Sequence, residues 1–329
     1  MGTGRRTGAV AAGAFALGVA ACGGSAAPPP AGSRIGPALL VALEAADHAR
    51  APWRCAAVDG PKLADETITI DKHAWKLAEH TMQREATGAV TIGVIADAGG
   101  AAAPTLAAIG RLRAKLEDAD LVIALGGMGQ TQAELEATLG ALADRATWPL
   151  VALAGDLESQ AALVDAIAAL RTRGLVIIDG RLARRILIAG MTIGTLPGAG
   201  APSRLVAGGD GCGYQPADVA ALLHELTGRP GLRVLATAEP PRITIGGELA
   251  GELALTPTAT QEIDVILHGP AVETASPARS GGRDGAAAPL SPGTADATMR
   301  LPGPRRSQSA GLLTVNGSAW RWRPIADGD

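Results

Sequence analysis

The chain has 329 residues and a formal net charge of −3; 47% of its residues are hydrophobic but only 2% are aromatic. That length accommodates one large domain or two small ones, and the weak negative charge excludes the concentrated basic face that nucleic-acid binding requires. The single Phe, Phe15, lies near the N-terminus, so the core is expected to be aliphatic, with five Trp as isolated large fillers.

Arg5 and Arg6 precede an apolar run from Ala9 to Ala20. A positive start, a short apolar stretch and small residues before a cut site predict a secretory signal over residues 1–21. The run is about a dozen residues, too short for a bilayer span of about 20. Its end, Val19-Ala20-Ala21-Cys22, resembles the lipobox of bacterial lipoproteins. The resemblance implies that Cys22 becomes a lipid-modified, palmitate-bearing N-terminus, and that membrane contact is made through this anchor at the bacterial cell envelope. The other reading is an ordinary secretory signal followed by a chance cysteine. Gly23 is not the aspartate associated with inner-membrane retention, so the resemblance implies the outer membrane. Residues 22–50 read as a tether, Pro-rich from Ala26 to Pro30, with a short helix from Pro37 to Ala49.

Residues 51–89 are expected to form a segment ahead of the main domain, in which Glu66 to Asp71 alternates like a strand. From Val90 the pattern strengthens. Strands are predicted at Thr91 to Ala96, Leu121 to Leu125, Leu150 to Leu153 and Leu175 to Ile178, alternating with helices at Pro104 to Asp118, Thr131 to Asp144 and Ser159 to Arg173. Continuous aliphatic strands separated by such helices predict parallel βαβ units covered on both faces, hence an α/β fold. The second half is strand-rich: Arg185 to Ala189, Met191 to Leu196, Arg233 to Thr237, Asp264 to Leu267 and Gly311 to Val315, with one helix from Pro216 to Thr227. A Pro/Gly/Ser-rich insertion near 276–306 reads as a flexible surface loop. Trp320 and Trp322 alternate on one face of a late strand and read as sheet-packing residues.

Beyond Cys22 two cysteines remain, Cys55 and Cys212. An exported chain with an even remainder allows a disulfide between them, and two unpaired thiols are the alternative. No clustered Cys/His spacing suggests zinc or haem. His48, His73, His80 and His224 have no partner spacing and read as surface residues.

Sheets of this class place ligands outside the carboxyl ends of their strands. There the chain offers Asp97 after the first strong strand, Gly126-Gly127-Met128-Gly129 after the second, and Gly155-Asp156-Leu157-Glu158 after the third. Glu239 and then His268-Gly269-Pro270 follow later strands. This succession from Val90 to Pro324, closed by Leu301 to Arg305 and a last strand pair, resembles the calcineurin-like metallophosphoesterases. The resemblance implies a four-layer αββα sandwich over residues 90–329, with a two-metal centre held by Asp-x-His, Gly-Asp-x-x-Asp, Gly-Asn-His-Asp/Glu, a lone His and Gly-His-x-His.

The motif letters depart from that pattern. Asp97 stands at the first aspartate, but Gly99 replaces the next histidine and Gly127 the bridging aspartate. Asp156 and Leu157 replace the Asn-His pair, Glu158 keeps the acidic place, Ala238 or Glu239 falls near the lone histidine, and Gly269-Pro270 carries no histidine pair. A two-metal clamp needs a shared carboxylate and several imidazoles; only the first aspartate stands unchanged in a metal position, and no matched position offers a histidine. The expectation is therefore a degenerate cleft formed by Asp97, Asp156, Glu158, Glu239 and His268, with no metal and no cofactor. The domain then acts as a binding module for an envelope protein or other ligand. The alternative is an active phosphoesterase using a divalent ion on Asp97, Asp156 and Glu158, joined by Glu239 or His268. A plainer reading of the acids is that they cap the following helices.

Overall fold

The computed structural model describes residues 53–57, 60–245, 248–252, 254–270, 276–283, 287–295 and 309–328. Cys22, His48, the signal, the tether and its helix, and Leu301 to Arg305 lie outside the described residues. Fifteen strands build two sheets. In chain order they are β1 (Leu63–Ile70), β2 (His73–Glu79), β3 (Thr81–Arg84), β4 (Val90–Ile95), β5 (Leu121–Leu125), β6 (Leu150–Leu153) and β7 (Ile177–Asp179). They continue with β8 (Arg185–Ile188), β9 (Met191–Leu196), β10 (Arg233–Thr237) and β11 (Val265–His268). The last four are β12 (Arg279–Gly281), β13 (Ala288–Leu290), β14 (Ser309–Asn316) and β15 (Ala319–Ala326). Among the described residues four α-helices accompany them: α1 (Ala103–Lys115), α2 (Gln132–Ala143), α3 (Gln160–Thr172) and α4 (Pro216–Thr227).

The seven-stranded sheet runs β12-β15-β14-β4-β5-β6-β7, and the eight-stranded sheet β13-β11-β10-β9-β8-β3-β2-β1. Strands β4 to β7 are parallel neighbours, as their uninterrupted aliphatic sequences require when both faces are covered. One apolar cluster fills the space between the sheets, joining Ile92, Val94, Ile123 and Trp322 of one to Trp75, Met82, Ile193 and Val234 of the other. A second packs α1, α2 and α3 on the outer face of the seven-stranded sheet through Val122, Ile109, Leu139 and Ile167. A third packs α4 on the outer face of the eight-stranded sheet through Leu222, Leu226, Leu235 and Ile266. Helix, sheet, sheet, helix is a four-layer αββα sandwich, the architecture expected from the sequence. Burial of this apolar surface stabilises it at about 25 cal/mol per Å².

Three sequence expectations change. Residues 63–84 are not a segment ahead of the domain: β1, β2 and β3 complete the eight-stranded sheet, and β3 pairs in parallel with β8. Their alternation buries Trp75, Leu77 and Met82 inward and leaves the other face wet. The described parts of the 276–306 insertion are not a surface loop. Strands β12 and β13 each extend a sheet, Ser276 C=O accepts from Trp322 Nε1 at 3.1 Å, and Ser291, Thr294 and Ala295 are buried. Gly281 is what lets β12 lie over Trp320, since a Cβ there would sit 2.5 Å from the indole. His80 is half-buried rather than on the surface, with Nδ1 3.3 Å from Leu182 C=O.

The chain enters the domain beside the ends of the parallel strands. Trp53–Arg54 pairs in parallel with Cys212–Gly213, and Cys55 and Cys212 stand in disulfide geometry with Cα atoms 5.4 Å apart. Arg184, buried, donates to the carbonyls of Cys55, Ala56 and Ala57. Arg54 pairs with Asp218 at 2.5 Å.

Candidate functional site at the strand ends

Asp97 follows β4 at φ 54°. Its N–H donates to Gly126 C=O at 2.9 Å, and its own C=O accepts from Ala295 N–H at 3.0 Å and Thr294 Oγ1 at 2.9 Å. The loop after β5 turns through Gly126 and Gly127, at φ 75° and 70°, a region that suits glycine. These glycines let backbones touch. A Cβ on Gly126 would sit 2.8 Å from Gly155 Cα, and one on Gly127 would sit 2.8 Å from Asp97 Cα and 3.2 Å from its Oδ1. A carboxylate at position 127 therefore has no room unless the Asp97 loop moves.

Glu158 lies between the same loops and is 1% exposed. Met128 N–H donates to one carboxyl oxygen at 2.6 Å and Gly155 N–H to the other at 2.7 Å. Burial pushes its pKa up to about 7, against the downward pull of those two N–H groups. Glu158 thus cross-links the β5 and β6 loops and caps no helix. The caps of α2 and α3 are Thr131 and Ser159. For Glu158 the helix-capping reading is replaced by loop bracing.

The remaining predicted residues have partners of their own. Asp156 is half-exposed and pairs with Arg204 at 3.1 Å. Arg204 also pairs with Glu239, which is 2% exposed. The other Glu239 oxygen accepts from Tyr214 Oη at 2.8 Å and Gly200 N–H at 3.2 Å. Burial, and then a shared hydrogen bond with Glu252, push Glu239 up to about 7. Burial works the same way on Glu252, but hydrogen bonds from Glu239 and from Ala254 N–H hold it below the ordinary carboxyl range. Burial and these two carboxyls push the Tyr214 hydroxyl far up, so it stays a donor. His268 is buried and its Nδ1–H donates to Gly269 C=O at 2.7 Å. Burial draws its pKa down to about 4, which keeps the ring neutral.

Among the described residues no group of three or more His, Cys, Asp or Glu side chains is placed to hold a metal ion. A dinuclear centre of the kind the motif order implies does not fit these donors. Glu158 has both oxygens on backbone N–H groups, Gly127 stands where the bridging carboxylate would, and His268 donates to its own loop. Arg204, Tyr214 and Glu252 complete the polar cluster and carry no motif in the sequence. Tyr214 alone left a signal, as the only tyrosine of the chain.

A four-layer sandwich whose strand-end loops are packed glycine against glycine and braced by acids is the class of protein these features define. No family model matches the sequence, and no curated protein matches it. Among solved structures, TT1561 of Thermus thermophilus shares 13% identity over 69% of this chain and 98% of that one, with a TM-score of 0.46. GAP50, the anchor in the inner membrane complex of Plasmodium, shares 9% over 73% of this chain and 85% of that one, with a TM-score of 0.47. At these scores the likeness is one of general shape, and the αββα assignment stands on the sheet orders and the three apolar clusters.

Proposed function

We propose that the protein is a lipid-anchored component of the bacterial cell envelope whose metallophosphoesterase-like domain binds a partner or ligand without catalysing phosphoester hydrolysis. One observation carries the reading: both oxygens of Glu158, the acid kept at a metal position of the motif order, are taken by the N–H groups of Met128 and Gly155. Moving that carboxylate onto a cation would leave two N–H groups without acceptors in a buried place, at about 1–3 kcal/mol each. The anchor is Cys22, by its resemblance to a lipobox, and the outer membrane is its destination. Elemental analysis of the purified full chain, with hydrolysis of a generic phosphodiester in added Mn²⁺, tests the domain's role. Substoichiometric metal and background hydrolysis are expected. Stoichiometric Mn, Fe or Zn with turnover would establish instead an enzyme with an atypical ligand set of Asp97, Asp156 and Glu158, joined by Glu239 or His268.

A further inference from the structure

Residues 198–213 cross the strand ends between β9 and α4. The neck of this segment is firmly closed. Gly198 N–H donates to Ala154 C=O at 2.8 Å, Ala199 N–H to Cys212 C=O at 3.0 Å, and Tyr214 N–H to Ala199 C=O at 3.2 Å. Cys212 is joined to Cys55 at the same neck. The middle is built differently. Between positions 202 and 210 only Leu205 is buried, while Val206, at 56%, is one of two large apolar side chains left exposed among the described residues. Short 3-10 turns at Pro202–Arg204 and Gly208–Asp210 supply no long ladder of hydrogen bonds. A compact loop with close ends and its own turns is an Ω-loop, a form often found at functional sites. Few buried apolar contacts and an exposed backbone are the marks of a segment that opens locally.

What joins this middle to the domain is polar and comes from different strand ends. Arg204 reaches Asp156 after β6 and Glu239 after β10. Val206 N–H donates to Asp156 C=O at 2.8 Å, and Ser159 Oγ donates to the Asp210 carboxylate. Arg204 is the only side chain of the segment that bridges two of these loops through ion pairs among the described residues. Beneath it lies Glu239, 2% exposed and also held by Tyr214 and Gly200.

We propose that residues 200–211 are a strap closed over the strand-end cleft by Arg204, which opens as one unit on the fixed neck when Arg204 leaves Glu239 and Asp156. The strap governs access to Glu239 and Tyr214, and it does so whether or not the cleft is catalytic. Hydrogen exchange of the full oxidised chain and its R204Q variant tests this. Amides of 201–210 should exchange at least tenfold faster in R204Q, with Ala199, Tyr214 and the β5 amides unchanged. D156N, which leaves the Glu239 contact in place, should give a smaller rise over the same amides. A second measurement reads the gate itself: carbodiimide labelling of Glu239, followed by mass spectrometry, should rise in R204Q. Unchanged exchange in R204Q, a rise spread over the whole domain, or no gain in Glu239 labelling would each overturn the strap.

Discussion

Replacing Glu158 by Gln separates a bracing carboxyl from a metal ligand through the pH dependence of stability. In the fold Glu158 titrates near 7, and its ordinary value is 4.5. Between those values the folded chain keeps a proton that the unfolded chain gives up, so the contribution is full below about 4.5 and is lost as pH rises through 7. At about 1.36 kcal/mol per tenfold change, the loss across that window is about 3 kcal/mol. Gln keeps one acceptor for the two N–H groups of Met128 and Gly155, and it sets an NH₂ against the other. At pH 5 the variant should therefore be less stable than the wild type by about 1–3 kcal/mol, the cost of one orphaned buried donor. At pH 8 the wild type has lost its protonated-form advantage, and the gap should close to about zero. Urea denaturation of both chains at pH 5, 6, 7 and 8 reads this directly. Because Glu239 and His268 titrate identically in both, the difference between the chains isolates position 158. A gap that stays constant or widens from pH 5 to 8 would refute the reasoning.

Gly127→Asp should destabilise the domain by about 1–3 kcal/mol, since a Cβ at φ 70° is strained and meets Asp97 Cα at 2.8 Å. Elemental analysis should find no Mn gained by that variant. Cys55 and Cys212 are separated by 157 positions, so reducing their bond should cost about 4–5 kcal/mol of stability in the loop-entropy account. Denaturation with and without reductant measures that loss, and finding two free thiols in the purified, unreduced chain would remove its basis. If Cys22 carries the proposed anchor, Cys22→Ser should shift the chain from the detergent phase to the aqueous phase, because acyl chains supply about 0.8 kcal/mol of membrane affinity per buried CH₂; unchanged partitioning would refute the anchor.

Legibility followed burial. Strands β4 to β6 and β9 to β11 are buried on both faces, and their Val, Ile and Leu runs appear in the sequence almost to the residue. Helix α4 was legible at both ends, starting at Pro216 and closing before Gly228. Strand β1 was legible in part, in the alternation of Glu66 to Asp71, while β2 and β3 were obscure because one face is solvated and the apolar set reduces to a few residues such as Trp75, Leu77 and Met82. Strand β13 was obscure for another reason. It has three residues with Pro289 at its centre, which sequence rules assign to a loop, yet it occupies a sheet edge where proline is tolerated. At the site, the positions of Asp97, Asp156 and Glu158 after their strands were legible, but not their partners. Arg204 and Glu252 meet Glu239 through loops whose course no local pattern encodes.

Those partners give the acids a common role. Glu158 joins the β5 loop to the β6 loop, Asp156 joins the β6 loop to the strap, and Glu239 joins the strap to the β10 end and to Tyr214. Each carboxyl is satisfied by a group from a different connection, which is the arrangement a buried acid needs if it is not to be left without partners. The glycines at 126, 127 and 155 complete the same arrangement, because only without side chains do the loops come close enough for one carboxyl to reach two of them. Carboxylates that hold loops to one another are not free to turn toward a shared cation. Restoring a metal-binding residue at one position, such as an aspartate at 127, therefore meets a closed backbone rather than a vacant ligand site.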